Sequence, residues 1–177
     1  MNKNYNIRLV VEPDMPKIQI LAVETFFESF NDGAKSEDIQ LYLQNEMSYQ
    51  NLISEFNAKE SNFIVIEDNK TKVLIGYMKI NMISSYWGIH ESNNNLLEIE
   101  RIYILSDYQS HGLGLKLIEF AKNFAKLQNI NTIVLSVYDK NKRGLSFYEK
   151  NGFKVVTEHN FLLGKDNRNC LVMEYNI

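Results

Sequence analysis

The sequence predicts a mixed α/β fold in which one sheet carries helices on its faces. Strand and helix signals alternate along the chain, its eight glycines and two prolines never gather into a linker, and no segment repeats. At 177 residues the chain can bury roughly 70% of its unfolded surface without a disulfide or metal staple. One domain spanning 1–177 is expected.

Tyr5 to Val11 reads as a first strand. Pro13 and Asp14 then open a helix to about Phe30, with Ile18, Leu21, Ala22 and Phe26 on one face. Ser36 is the expected N-cap of a second helical region, with Glu37 and Asp38 at the positive end of its dipole; this region reaches about Lys59 and bends near Ser48. Asn62 to Glu67 and Val73 to Ile83 are rich in β-branched and aromatic residues, and the polar 68–72 connector makes them an antiparallel hairpin. A strand follows at Leu96 to Leu105, then a helix from Gly112 to about Gln128 with a buried stripe of Leu113, Leu117, Phe120, Ala121 and Phe124. Thr132 to Val137 is a short buried strand. Lys142 to Lys150 is a helix closed by Asn151-Gly152. Phe153 to Leu163 and Cys170 to Tyr175 are two last strands joined by a GKDNRN turn. The order is β-α-α-β-β-β-α-β-α-β-β.

Composition narrows the function classes. With 45% hydrophobic and 23% charged residues and a mean hydropathy of -0.29, the chain is neither fibrous nor disordered. The N-terminus meets an acidic residue and a proline before any apolar h-region, so no signal peptide is expected, and no run approaches the ~18 apolar residues of a spanning helix. Cys170 is the only cysteine, which fits a reducing cytoplasm, and no metal is expected because His90, His111 and His159 share no ligand spacing with it. A net charge of -3 gives nucleic acid no electrostatic purchase. The charge is unevenly spread: residues 1–95 hold 13 acids and 8 bases, and residues 96–177 hold 9 acids and 11 bases.

Two segments carry chemistry. In Leu96 to Leu105 the apolar phase shifts from odd positions (Leu97, Ile99) to even ones (Ile102, Ile104) around Glu100 and Arg101. Either a β-bulge re-aims the strand there or the strand is covered on both faces. The loop Gln109-Ser110-His111-Gly112-Leu113-Gly114 then lies between a strand and a helix N-terminus, a cradle for an anion, since glycines admit close approach and first-turn N–H groups are unpaired. A dinucleotide fingerprint would need glycine where Leu117 stands, and no Walker A spacing is present.

The run LEIERIYILSDYQSHGLGLKLIEFA, followed by LSVYDKNKRGLSFYEKNGF, resembles the GCN5-related N-acetyltransferase superfamily. More narrowly ETFFESF, SEDIQLYL and LEIERIYI resemble its PaiA-type branch, whose members acetylate polyamines such as spermidine and spermine. The resemblance implies a mixed, mostly antiparallel sheet of about seven strands flanked by about four helices, and acetyl-CoA as co-substrate. It implies that Gln109, Ser110, His111, Gly112, Leu113, Gly114 and Leu115 hold the pyrophosphate. The backbone of Ile102, Tyr103 and Ile104 would pair with pantetheine, and Asn141 and Tyr148 would flank the arm and thioester. Gly144 stands where the family generally carries alanine. Lys150 could reach a coenzyme phosphate or serve only the helix dipole.

An acceptor amine of pKa ~10.4 is only about one part in 2,500 neutral at pH 7, so a base is needed. Glu98 and Glu100 are the candidates, with a solvated strand face as their alternative reading. Tyr148 can donate a proton to the leaving thiolate, and a backbone N–H near Ile102 can hold the oxyanion. Cys170, with no histidine placed near it in any recognisable pattern, is not expected to be a nucleophile. The expectation is direct acetyl transfer to a primary amine, a cationic polyamine favoured, in the cytoplasm, with a homodimer allowed. A peptide or protein amine, another small amine, or a silent acetyl-CoA-binding regulatory module are the alternatives. Eight acids between Glu24 and Glu60 (Glu24, Glu28, Asp32, Glu37, Asp38, Glu46, Glu55, Glu60) against Lys35 and Lys59 would attract such an amine, or form a solvated face.

Overall fold

The computed structural model describes residues 4–30, 35–90 and 95–177. Its elements are β1 (Tyr5–Leu9), α1 (Met15–Phe30), α2 (Ser36–Glu46), α3 (Tyr49–Phe56), β2 (Ser61–Asp68), β3 (Leu74–Ile83), β4 (Ser85–Tyr86), β5 (Ile89–His90), β6 (Leu96–Ile104), α4 (Leu113–Leu127), β7 (Thr132–Tyr138), α5 (Lys142–Lys150), β8 (Lys154–Leu163) and β9 (Asp166–Asn176). Seven strands form one sheet in the order β1-β2-β3-β6-β7-β9-β8, antiparallel except for β6 with β7. This is the expected mixed sheet.

Two apolar cores hold the layers. On one face α1 to α3 bury Ile18, Leu21, Phe26 and Leu52 against Phe63, Val65 and Tyr77. On the other face α4 buries Leu113, Leu117, Ile118, Ala121 and Ala125 against Ile99, Ile133 and Leu135. The expected stripe of α4 is corrected: Phe120 and Phe124 are only half-buried at its flank, and Ile118 and Ala125 take the centre.

The predicted bend at Ser48 is a break. Met47 is buried between α2 and α3, and the Ser48 hydroxyl accepts the Asn51 N–H at 3.2 Å as the cap of α3. Ser36, expected to cap α2, is instead its first residue. The cap position falls on Lys35, whose carbonyl accepts the N–H groups of Asp38 and Ile39 while its side chain caps nothing. The last turn is shorter than predicted, because β9 starts at Asp166 and only Gly164-Lys165 turn the chain. Burial explains this: Arg168, 5% exposed, lies between the rings of Phe30 and Tyr138 and pairs with Asp166. Tertiary cover overrides the turn-like composition of DNRN.

Two irregularities shape the centre of the sheet. Lys79 pairs with Arg101 but Ile80 pairs with Ile99, so Glu100 is an extra residue in β6. The phase shift is therefore a β-bulge. Beyond it β6 and β7 part: they pair only over Leu96–Ile99 and Thr132–Leu135, while β7 stays with β9 through Tyr138. A wedge opens between Ile102–Ile104 and Ser136–Tyr138.

Candidate active site

The wedge exposes backbone on β6. Leu105 donates its N–H to Ile75 in β3, whereas the Ile104 carbonyl accepts Gln109 Nε2 at 2.9 Å on the opposite side. Strand backbone groups alternate sides, so the N–H and carbonyl of Ile102 also face the wedge. Tyr103 faces away, its carbonyl lying 2.9 Å from where a Cβ on Gly76 would sit. Of the three predicted β6 residues, Ile102 and the Ile104 N–H thus face the open wedge, the Ile104 carbonyl being taken by Gln109, and Tyr103 faces β3.

The glycine loop closes one end of the wedge. Ser110 and Gly112 take left-handed φ of 65° and 74°, and no side chain caps α4, so the N–H groups of Leu113, Gly114 and Leu115 point into the loop as an anion cradle. Gly112 has open space around it, as close approach of a ligand requires. Gly114 has another reason to be glycine: a Cβ there would lie 3.2 Å from the Phe147 ring of α5. His111 is exposed beside the Tyr108 carbonyl.

The N-terminus of α5 packs against this loop. Asn141 caps α5, its Oδ1 accepting the Gly144 N–H at 2.8 Å, and a Cβ at 144 would come within 2.7 Å of its Nδ2. Arg143, which the sequence reading passed over, donates to Gln109 Oε1 at 2.8 Å and to Ser110 Oγ at 3.2 Å. It thereby sets a guanidinium beside the cradle, and its only sequence signal was the basic run KNKR. Lys150 is exposed at the far end of α5, roughly 13 Å along the helix from Asn141, and is not brought to the loop.

Tyr148 points inward between Phe147 and Phe153, at ring distances of 5.3 and 5.8 Å, and burial pushes its hydroxyl pKa upward. It remains a protonated donor at neutral pH.

On the other face of the sheet stands a polar group built on the bulge. Asn81 Nδ2 donates to Glu98 at 2.7 Å and to Glu100 at 2.6 Å, while its Oδ1 accepts from Ser61. Lys79, 5% exposed, bridges Glu100 at 2.6 Å and Glu55 at 3.1 Å, and Arg101, equally buried, bonds the same two carboxylates. The two predicted glutamates are therefore unequal. Burial raises the pKa of Glu98, with Asn81 opposing. Burial would raise Glu100 too, but Arg101 and Lys79 outweigh it and hold Glu100 below the usual range. Lys79 and Asn81 could have been suspected as polar positions inside an otherwise apolar strand.

Further along this face Ser136, Tyr86, His159 and Cys170 lie together. Cys170 is directly across from His159 in the β8–β9 ladder, so a histidine does sit near the thiol. His159 Nε2, however, meets Ser136 Oγ at 2.7 Å, and burial raises the thiol pKa. Cys170 stays a protonated packing residue.

A sheet split beside a helix-terminus anion cradle, with a half-buried tyrosine hydroxyl on one face and a carboxylate on the other, has the layout of an acyltransferase that draws on a coenzyme thioester. Residues 17–153 match the acetyltransferase (GNAT) family, and the chain belongs to it: it is an acyl-CoA-dependent N-acetyltransferase with acetyl-CoA as co-substrate. It is 28% identical over 165 residues to an uncharacterized N-acetyltransferase in the pepI 3' region of Lactobacillus delbrueckii subsp. lactis, covering 93% of each chain. It is 26% identical over 152 residues to a spermidine N(1)-acetyltransferase of Thermoplasma acidophilum, covering 80% of this chain and 88% of that one. The crystal structure of the PaiA N-acetyltransferase from T. acidophilum in complex with coenzyme A shares the fold at a TM-score of 0.80, with 23% identity over 98% of this chain and 99% of that one. No helix among the described residues is long and apolar enough to cross a membrane.

Proposed function

We propose that the acceptor is a cationic small amine, a polyamine before others, and that Glu98 takes its proton. The observation that carries this reading is the division of labour at the bulge. Glu100 is neutralised by Lys79 and Arg101, and Glu98 is left beside the wedge with an amide as its only direct partner among the described residues. A carboxylate whose pKa is raised is the better base near neutrality. The likeness to a spermidine acetyltransferase supports the polyamine, as do the exposed Glu24, Glu37, Glu46 and Glu60 around α1 to α3.

In this reading Glu98 removes a proton from the bound ammonium, and the amine nitrogen forms its bond to the thioester carbonyl carbon. The Ile102 N–H, aimed into the wedge, holds the oxygen as it gains charge. As the carbon–sulfur bond breaks, Tyr148 protonates the sulfur and regains its proton from the acetylated nitrogen. Gln109, Arg143 and the first turn of α4 fix the coenzyme phosphates, and Asn141 flanks the pantetheine arm.

The test is thiol release from acetyl-CoA in the presence of spermidine, spermine, a monoamine, a peptide N-terminus and a lysine peptide. Polyamine turnover at a kcat/KM at least tenfold above the others is expected. Preference for a peptide moves the acceptor class, and coenzyme binding without release to any amine overturns the catalytic reading.

A further inference from the structure

Among the described residues three carboxylates and two cations meet under the bulge, so the group is one cation short. Lys79 and Arg101 stand directly across from each other on β3 and β6, each 5% exposed, with Glu98 and Glu100 on β6 and Glu55 reaching in from α3. Only two of the three carboxylates can be neutralised, and a base for the acceptor amine has to be the third. Resting on the reading of Glu98 as that base, we propose that Glu55 is a positioning residue for the reaction: by holding Lys79 and Arg101 it keeps both cations off Glu98 and leaves that carboxylate free to take the proton.

The contacts show how the two are selected. Glu55 takes the Arg101 guanidinium in a fork, Nη1 on Oε2 and Nη2 on Oε1, the latter at 2.9 Å, and it takes Lys79 Nζ on Oε2 at 3.1 Å. Asn51, one turn back on α3, donates to Oε1 at 3.1 Å, so both oxygens are doubly engaged. The seat of α3 is itself fixed by the Ser48 cap and the buried Leu52. Glu100 takes Lys79 at 2.6 Å and Arg101 at 3.0 Å. Asn81 Nδ2 lies 2.6 Å from Glu100 Oε2 and 2.7 Å from Glu98 Oε2, its amide oriented by Ser61, which donates to Oδ1 at 2.9 Å. Lys79 Nζ and Asn81 Nδ2 thus bond the same Glu100 oxygen, and the ammonium is one amide away from Glu98. A buried cation that loses its partner is strongly destabilised. Without Glu55, the carboxylate at hand to replace it is Glu98.

The charges act on Glu98 in the directions this role requires. Burial is the largest influence and raises its pKa, Asn81 lowers it, and behind them Glu100 raises it while Lys79 and Arg101 lower it. Glu55 works through those two cations. The other titratable groups turned toward the network are Tyr42, Tyr77, Tyr86 and Tyr103, whose hydroxyls burial keeps protonated, and Glu174 on β9, two strands across from Glu98 and bonded by Asn176 at 3.2 Å. The four hydroxyls carry no charge where a carboxylate titrates, and Glu174 is common to every variant below.

The experiment is the pH profile of amine-dependent thiol release for the wild type, Glu55→Gln, Lys79→Met and the double variant, with Glu98→Gln as reference. Removing the Glu55 charge leaves an excess cation that favours ionised Glu98, so the acid limb of kcat/KM is expected to move down by about one pH unit and kcat to fall about tenfold, with acetyl-CoA KM unchanged. Removing the Lys79 charge is expected to move the limb up. The double variant, balanced again, is expected to return the limb to its wild-type position and to recover most of kcat. A merely structural Glu55 would give neither shifts of opposite sign nor rescue by a second substitution. If Glu55→Gln alone has no folded thermal midpoint, Lys79→Met and the double variant decide, because deleting Glu55 from the former must still lower the limb. Unmoved limbs, shifts of one sign, or a double variant displaced further than either single overturn the role of Glu55 and leave the base reading standing. An acid limb that survives Glu98→Gln overturns the base reading itself.

Discussion

The sharpest residue-level contrast is between Glu98 and Glu100, two carboxylates 2 positions apart that share the Asn81 amide. Because the folded pKa of Glu98 lies above the ordinary value, its base form appears only as pH rises through that elevated value. The acid limb of kcat/KM should follow it. Glu98→Gln should erase that limb and cost ~10²- to 10⁴-fold in turnover. In Glu100→Gln the limb should persist but move to lower pH, since the charge of Glu100 is one of the influences raising Glu98. The reverse pattern in the two pH profiles would exchange their roles. The pair was legible in the sequence as candidates but not as unequals. Lys79 and Glu55 lie 21 and 45 residues upstream of Glu100, and only the fold brings them under the bulge.

At the level of elements, the strongest single constraint is the docking of α2 on the β8–β9 turn. Gly164 takes φ 60°, and a Cβ there would fall 2.0 Å from Asp38 Oδ1, which accepts the Lys165 N–H at 3.1 Å. Gly164→Ala therefore combines left-handed backbone with a collision, and should cost at least ~2 kcal/mol in the denaturant midpoint. A loss below ~0.5 kcal/mol would show that Asp38 yields freely. This contact also marks the limit of local reading. The seven strands of the main sheet and the helices announced themselves through periodicity, the short β4–β5 hairpin did not, and the bulge at Glu100 showed as a change of phase. The N-cap at Lys35, the break at Met47 and the early start of β9 depend on what covers Met47 and Arg168, and no local pattern carries that information. The wedge was invisible for the same reason, since it is a relation between β6 and β7 and not a property of either.

For the whole molecule, the uneven charge of the sequence acquires parts. Of the eight acids from Glu24 to Glu60, Glu28 holds Ser106 after β6, Asp38 docks Lys165 and Glu55 neutralises Lys79 and Arg101. Asp32 lies outside the described residues. Glu24, Glu37, Glu46 and Glu60 are the exposed remainder. Replacing Glu24, Glu37 and Glu46 by glutamine should raise polyamine KM severalfold at low salt and flatten its salt dependence, with the thermal midpoint unmoved. An unchanged KM would reduce these acids to a solvated surface.

The parting of β6 from β7 has a mechanical meaning as well. The sheet is two leaves, β1-β2-β3-β6 and β7-β9-β8, sewn together by a seam of four residue pairs with α4 laid across it. A donor arm lying along Ile102 and Ile104, as the family resemblance implies, would lengthen that seam. Its binding at a hundredfold excess over Kd is worth ~2.7 kcal/mol of cohesion, concentrated where the two leaves would otherwise begin to peel apart.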